Sequence, residues 1–149
     1  MFDIALSVNA CARSNTRADV AWLISSEPVF ESAVSDAIAI TPGGGKIGNL
    51  LSSAFDGELI EMAKRKLPSG RIIKREVSAF ESTISSIPQG TELKFALLPT
   101  GLIDPDIWQA FLDRESIAIV CHVKGDEILS ADYYTSVSIV AAEPDVVEL

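Results

Sequence analysis

An α/β fold of the α+β type is what the sequence predicts: a single domain with a mixed sheet of about five to seven strands and about three helices. Three observations lead there. The chain has 149 residues, of which 48% are hydrophobic, enough for one continuous core. Its apolar residues fall into short runs, some alternating and some at helical spacing. Pro and Gly clusters punctuate those runs at short intervals, with no internal repeat and no low-complexity stretch.

The elements follow in order. Met1 to Ser14 carries Phe2, Ala5, Leu6 and Ala10 on one apolar face, which predicts a short helix, and Arg13-Ser14-Asn15-Thr16 is a polar break. Ala18 to Ser25 fits either spacing. Its eight residues, bounded by that break and by Glu27-Pro28, suit a strand better than a stable helix. Asp36 to Thr41 and Lys46 to Leu51 flank Pro42-Gly43-Gly44-Gly45, the pattern of a hairpin with a four-residue turn. A helix is expected from about Ser53, with Ser53 and Asp56 as a capping box. Phe55, Leu59, Met62, Ala63 and Leu67 form its apolar face, Lys64, Arg65 and Lys66 its last turn, and Pro68-Ser69-Gly70 its end.

Arg71 to Val77 reads as an exposed strand and Ser78 to Gly90 as a polar connection. Leu93, Phe95 and Leu97 alternate on a strand that breaks at Pro99-Thr100-Gly101. Asp104 caps a helix with Pro105 in its first position and Ile107, Trp108, Phe111 and Leu112 as its buried stripe. Ile117 to Val123 is a buried strand turned by Lys124-Gly125-Asp126. Thr135 to Ala142 is a last strand with Val137, Ile139 and Ala141 on one face, before an acidic tail through Glu143, Asp145 and Glu148.

Charge and composition exclude several functions. A net charge of −9 argues against nucleic acid, whose phosphates call for clustered Lys and Arg. No apolar run approaches the roughly 20 residues that span a bilayer, and Asp3 beside Met1 is wrong for a secretion signal. Two cysteines, Cys11 and Cys121, are too few for a disulfide framework, so a cytoplasmic protein is expected. Self-association is compatible with this composition.

The glycine segment invites a functional reading. Gly43-Gly44-Gly45-Lys46-Ile47-Gly48 satisfies Gly-x-Gly-x-x-Gly after a strand, the pattern that brings pyrophosphate to a helix N-terminus. Its context differs, because helix signals begin only near Ser53 and no acidic residue ends a clear strand about twenty residues later. Ile47 also occupies the Ser/Thr position of a P-loop. A hairpin turn is therefore expected over a dinucleotide fingerprint.

Gly48-Asn49-Leu50-Leu51-Ser52-Ser53-Ala54-Phe55-Asp56-Gly57-Glu58-Leu59-Ile60-Glu61-Met62-Ala63 resembles the signature of the XdhC/CoxI family, accessory proteins of molybdenum hydroxylases. There a hairpin runs into Gly-Ser-x-Ser-Gly-Gly-Cys-x-Glu and then a helix ending in Glu-x-Ala. The similarity covers about residues 1–67. Ser52-Ser53-Ala54 stands at the family's Gly-Gly-Cys and Asp56 at its Glu, while the family's later Cys-Gly-Gly has Pro99-Thr100-Gly101 in a comparable place. The resemblance implies a non-catalytic role in binding or handing over molybdenum cofactor (molybdopterin). It also implies a molybdenum hydroxylase or another accessory protein as partner.

The residues it singles out are Gly43, Gly44, Gly45, Lys46 and Gly48, then Ser52, Ser53 and Asp56. Backbone N–H groups there would hold a pterin phosphate, with Lys46 as the nearby fixed cation. Two other readings stay open. One is a nucleotide- or phosphate-binding enzyme domain using the Gly43–Gly48 loop. The other is an interaction module without a small ligand, whose acidic surface meets a basic partner.

The remaining candidates read as structural. Cys121 and His122 are neighbours on a strand, so they face opposite sides and cannot form a nucleophile–base pair. His122 is the sole histidine, which removes any multi-His metal site. Asp56, Glu58 and Glu61 suit a helix N-terminal half. Trp22, Trp108 and Phe111 suit the core, and Tyr133-Tyr134 near a turn is a candidate contact surface.

Overall fold

The computed structural model describes residues 2–28, 37–135 and 146–148. The α+β expectation holds. Among the described residues four α-helices accompany one eight-stranded sheet of order β3-β2-β1-β5-β4-β7-β6-β8, in which every strand pairing is antiparallel where a mixed sheet was expected. The helices are α1 (Phe2–Arg13), α2 (Asp56–Ala63), α3 (Ala79–Ser85) and α4 (Asp106–Leu112). The strands are β1 (Asp19–Glu27), β2 (Ala37–Ile40), β3 (Lys46–Asn49), β4 (Gly70–Glu76), β5 (Glu92–Pro99), β6 (Ile117–Lys124), β7 (Glu127–Thr135) and β8 (Val146–Glu148).

Period-two alternation splits the core between the sheet's two faces. Val20 and Trp22 of β1, Ala96 and Leu98 of β5, and Ile117, Ile119 and Cys121 of β6 pack under α1 and α4. Ala21 of β1, Ile38 and Ile40 of β2, and Leu93, Phe95 and Leu97 of β5 point the other way, toward Phe55, Leu59 and Ala63 at α2. Trp22 and Trp108 are buried in the first cluster, as their apolar positions predicted. Truncating either to alanine costs about 3–5 kcal/mol by the usual scale for large core aromatics.

Several elements differ from the sequence reading. Arg71–Val77 was expected as an exposed strand, but β4 lies inside the sheet between β5 and β7 and is mostly half-buried. Ser78–Gly90, expected as a polar connection, contains α3. There the Ser78 side chain accepts from the Glu81 N–H, and the Glu81 carboxylate accepts from the Ser78 N–H. The capping box expected at Ser53 and Asp56 does not form, because Ser53 Oγ bonds Asn49 and Lys46 instead, and α2 opens at Asp56.

Asp104 caps α4 as expected, its Oδ1 accepting from the Asp106 N–H at 3.0 Å. Tyr133 and Tyr134 lie on β7, and Tyr133 packs against the first core cluster. Of the expected strand Thr135–Ala142, Thr135 belongs to β7, while Val137, Ile139 and Ala141 lie outside the described residues, as do Asp36, Glu143 and Asp145. No helix among the described residues is long and apolar enough to cross a membrane.

Candidate functional site

The β2–β3 hairpin forms as the glycines suggested. Ile40 pairs with Lys46 and Ala37 with Asn49. Between them Thr41 N–H donates to Gly45 O at 2.9 Å, Gly44 N–H to Thr41 O at 3.0 Å, and Gly45 N–H to Thr41 Oγ1 at 3.1 Å. No helix starts at Gly45 or Lys46, so the geometry of a dinucleotide fingerprint is not formed. Gly48 serves packing: its φ is +93°, and a Cβ there would sit 2.5 Å from Ala37 O and 2.6 Å from Ile4 Cγ2.

Beyond β3 the backbone turns in an uncommon way. Leu51, Ser52 and Ser53 have φ of 48°, 55° and 63°, three successive left-handed residues of which none is glycine. Such a conformation costs roughly 1–2 kcal/mol per residue and persists only where its surroundings impose it.

That turn gathers a polar cluster. Lys46 Nζ donates to Ser53 Oγ at 2.7 Å and forms an ion pair with Asp56 Oδ2. Ser53 Oγ donates in turn to Asn49 Oδ1 at 3.2 Å. Asp56 is 6% exposed, and its Oδ1 is buried without a hydrogen-bond partner among the described residues. Of the eight residues singled out, Lys46, Ser53 and Asp56 are thus brought together, Ser52 stands exposed on the adjoining turn, and Asn49 is an addition.

Gly43, Gly44 and Gly45 lie elsewhere. A Cβ on Gly44 would be 3.2 Å from Lys64 Cε and 3.9 Å from both Lys64 Nζ and Ile60 Cγ2, against the C-terminal half of α2. Lys64 is thus a cation beside the turn, while Lys46 is paired with Asp56.

A second charged group braces the cluster from behind. Arg75 on β4 forms ion pairs with Glu58 of α2 and Glu81 of α3, and its guanidinium lies 5.8 Å from the centre of the Phe55 ring. Burial tends to raise the Glu81 carboxyl, but its bonds from Ser78 and Arg75 outweigh that and hold it below the usual glutamate value. Sequence reasoning missed both Arg75 and Glu81, and only Glu58 of this group was singled out.

The other candidates are placed as follows. Cys121 is buried in the α1/α4 cluster, and His122, on the opposite face, has Nε2 2.8 Å from Asp132 Oδ2. Glu61 pairs with Lys64 at 3.0 Å. Among the described residues no three His, Cys, Asp or Glu side chains cluster to hold a metal.

No family model and no curated protein sequence matches the chain. Among solved structures, the fold is similar to that of a xanthine dehydrogenase from Bacillus halodurans, with a TM-score of 0.65 and 14% sequence identity. The similarity covers 100% of this chain and 52% of that one, so the chain spans about half the length of its structural relative.

Proposed function

We propose that this chain is a non-catalytic accessory protein of molybdenum-enzyme maturation that binds an anionic pterin cofactor where β3 runs into α2. The observation that carries the reading is the left-handed turn Leu51–Ser53, which holds Lys46, Ser53 and Asp56 against one another at the start of α2. The fold likeness to a protein described as a xanthine dehydrogenase and the resemblance of residues 48–63 to XdhC/CoxI proteins support the same context.

The residues fit one end of molybdenum cofactor. Lys46 Nζ and the Ser52 and Ser53 hydroxyls are donors suited to its phosphate. Ala54 offers no thiol for the metal end. When bound, the cofactor supplies the metal chemistry to a recipient molybdenum hydroxylase, and this chain's part is to hold and orient it. Binding requires Lys46 to share its charge between Asp56 and the ligand, which sets a moderate affinity.

Calorimetry with molybdenum cofactor and with a nucleotide tests this on wild type, Lys46→Ala and Asp56→Asn. Lys46→Ala should weaken cofactor binding by about 1–2 kcal/mol, the scale of a charge-assisted hydrogen bond. Asp56→Asn should leave phosphate binding unchanged or tighter. Absence of binding by all three refutes the reading. It would favour an interaction module without a small ligand, for which the exposure of Phe80 (74%) and Ile84 (42%) on α3, a helix packed against the same turn, is the specific support.

A further inference from the structure

A groove at the far end of α2 has no part in the reading above. It has a volume of about 500 Å3, within the roughly 300–1,000 Å3 of small-molecule sites. It opens where β1 begins and β5 ends, at the paired residues Asp19 and Pro99. Asn15, Thr16 and Arg17 from the α1–β1 connection form one side, and Pro99 and Gly101 with the apolar residues after them form the other. Arg17 is the one charged side chain in its wall.

The way Arg17 is held sets it apart from an ordinary surface arginine. Its Nε donates to Asp19 Oδ1 at 3.2 Å and its Nη2 to Leu67 O at 2.8 Å. Its Nη1 makes no bond to any described protein acceptor. Asp19 is 5% exposed, and burial raises its carboxyl against the lowering effect of Arg17. A guanidinium fixed on two nitrogens has little rotamer entropy left to lose when the third engages a ligand.

Arg17 also borders two smaller cavities that carry further cations. Lys66 and Arg17 border one small cavity with Thr41 and Pro42 of the hairpin turn, and Arg71 and Arg17 border another. Lys66 has no ion pair among the described residues, and Arg71 has a 3.6 Å contact with Glu127.

We infer that this groove is a binding site for a small molecule with an anionic oxygen head group, phosphate or carboxylate, on a flat apolar body. Arg17 Nη1 takes the head group, Asp19 is the positioning residue that aims the guanidinium, and the Pro- and Leu-lined wall takes the body. A phosphate and a carboxylate ligand share this chemistry, so the two are distinguished by probe.

The test is titration of the full chain with 1-naphthyl phosphate, 1-naphthoate and neutral 1-naphthol, followed by calorimetry or ligand-observed NMR. At least one anionic probe should bind saturably and at least about tenfold more tightly than naphthol. The preferred probe identifies the head group. Arg17→Met should weaken that probe about tenfold or more.

Because Arg17→Met leaves Asp19 buried without its partner and endangers folding, Gly101→Phe is the second variant. Gly101 lines the groove and a Cβ on it meets nothing within 4 Å, so a large side chain has room there without displacing the walls. Gly101→Phe should unfold like wild type and lose binding at least about tenfold. Equal binding of the neutral and anionic probes, no saturable binding by any, or unchanged affinity in Gly101→Phe overturns the proposal. Failure here leaves Lys46 and Asp56 untouched, so it is separable from the cofactor test.

Discussion

Replacing Gly48 by alanine, beside the same change at Gly43, separates packing glycines from ligand-cradling ones. At Gly48 two costs combine. Its φ of +93° is a region that alanine enters at roughly 1–2 kcal/mol. The new Cβ would also meet Ala37 O at 2.5 Å and Ile4 Cγ2 at 2.6 Å. Ala37 is held in register with Asn49, so its carbonyl yields only by opening the hairpin, and overpacking of this kind costs about 1–3 kcal/mol. Together the loss is about 2–5 kcal/mol, a fall in Tm of roughly 4–20 °C for a chain of this size. At Gly43 a Cβ meets nothing within 4 Å and φ is not left-handed, so Gly43→Ala should stay within about 0.5 kcal/mol of wild type. Urea denaturation of both variants, followed by circular dichroism, reads the difference. Equal stability of the two, in either direction, refutes the assignment of Gly48 to packing and of Gly43 to an open turn.

Four further outcomes follow from the geometry. Ser78→Ala should cost about 0.5–2 kcal/mol through loss of the α3 cap, measured by denaturation at neutral pH. The folded-state pKa of Glu81 is depressed, so its stabilisation is present above its unfolded value, near 4.5, and is lost as pH falls through the lower folded value. Glu81→Gln should accordingly flatten the acid limb of a stability–pH profile, and an unchanged limb contradicts the assignment. Ser52→Gly should raise stability by up to about 1 kcal/mol by relieving one left-handed serine, and a loss would show that the Ser52 side chain holds the turn. A thiol reagent should modify half-buried Cys11 before buried Cys121 in the native protein, at a rate indifferent to His122→Ala, and rapid His122-dependent labelling of Cys121 would restore a reactive pair.

The hairpin, β1, β5, α2 and α4 were legible because their apolar residues alternate or recur toward a core that exists. The α3 helix was not. Its start signal, Ser78 with Glu81, is complete, but Phe80 and Ile84 turn to solvent, so no apolar stripe marks the seven residues as helix. The opposite error occurred at Ser53, where a plausible cap lost its hydroxyl to Asn49 and Lys46. Lys46 and Asp56 could be placed at one candidate site from sequence because the hairpin and helix are joined by a short turn, but their ion pair was not foreseen. The Gly43–Gly45 turn could not be separated from them, since nothing local tells which end of α2 it meets. The Arg17 groove was beyond sequence, because its walls come from residues 12–17, 68 and 99–105.

The left-handed turn also governs what can happen at the border of the sheet. β3 is an outermost strand, and its ladder ends at the Asn49–Ala37 pair before Leu51–Ser53 curl the backbone away. Only every second residue of an antiparallel border strand turns its N–H and C=O outward, so four residues offer about two such positions to an incoming chain. Strand addition or fibril-like stacking through this side would gain too few main-chain bonds to offset the ordering of the added segment. Three strained residues thus act as a stop against runaway polymerisation, and association across this edge is left to side chains, whose charge and shape can discriminate among partners.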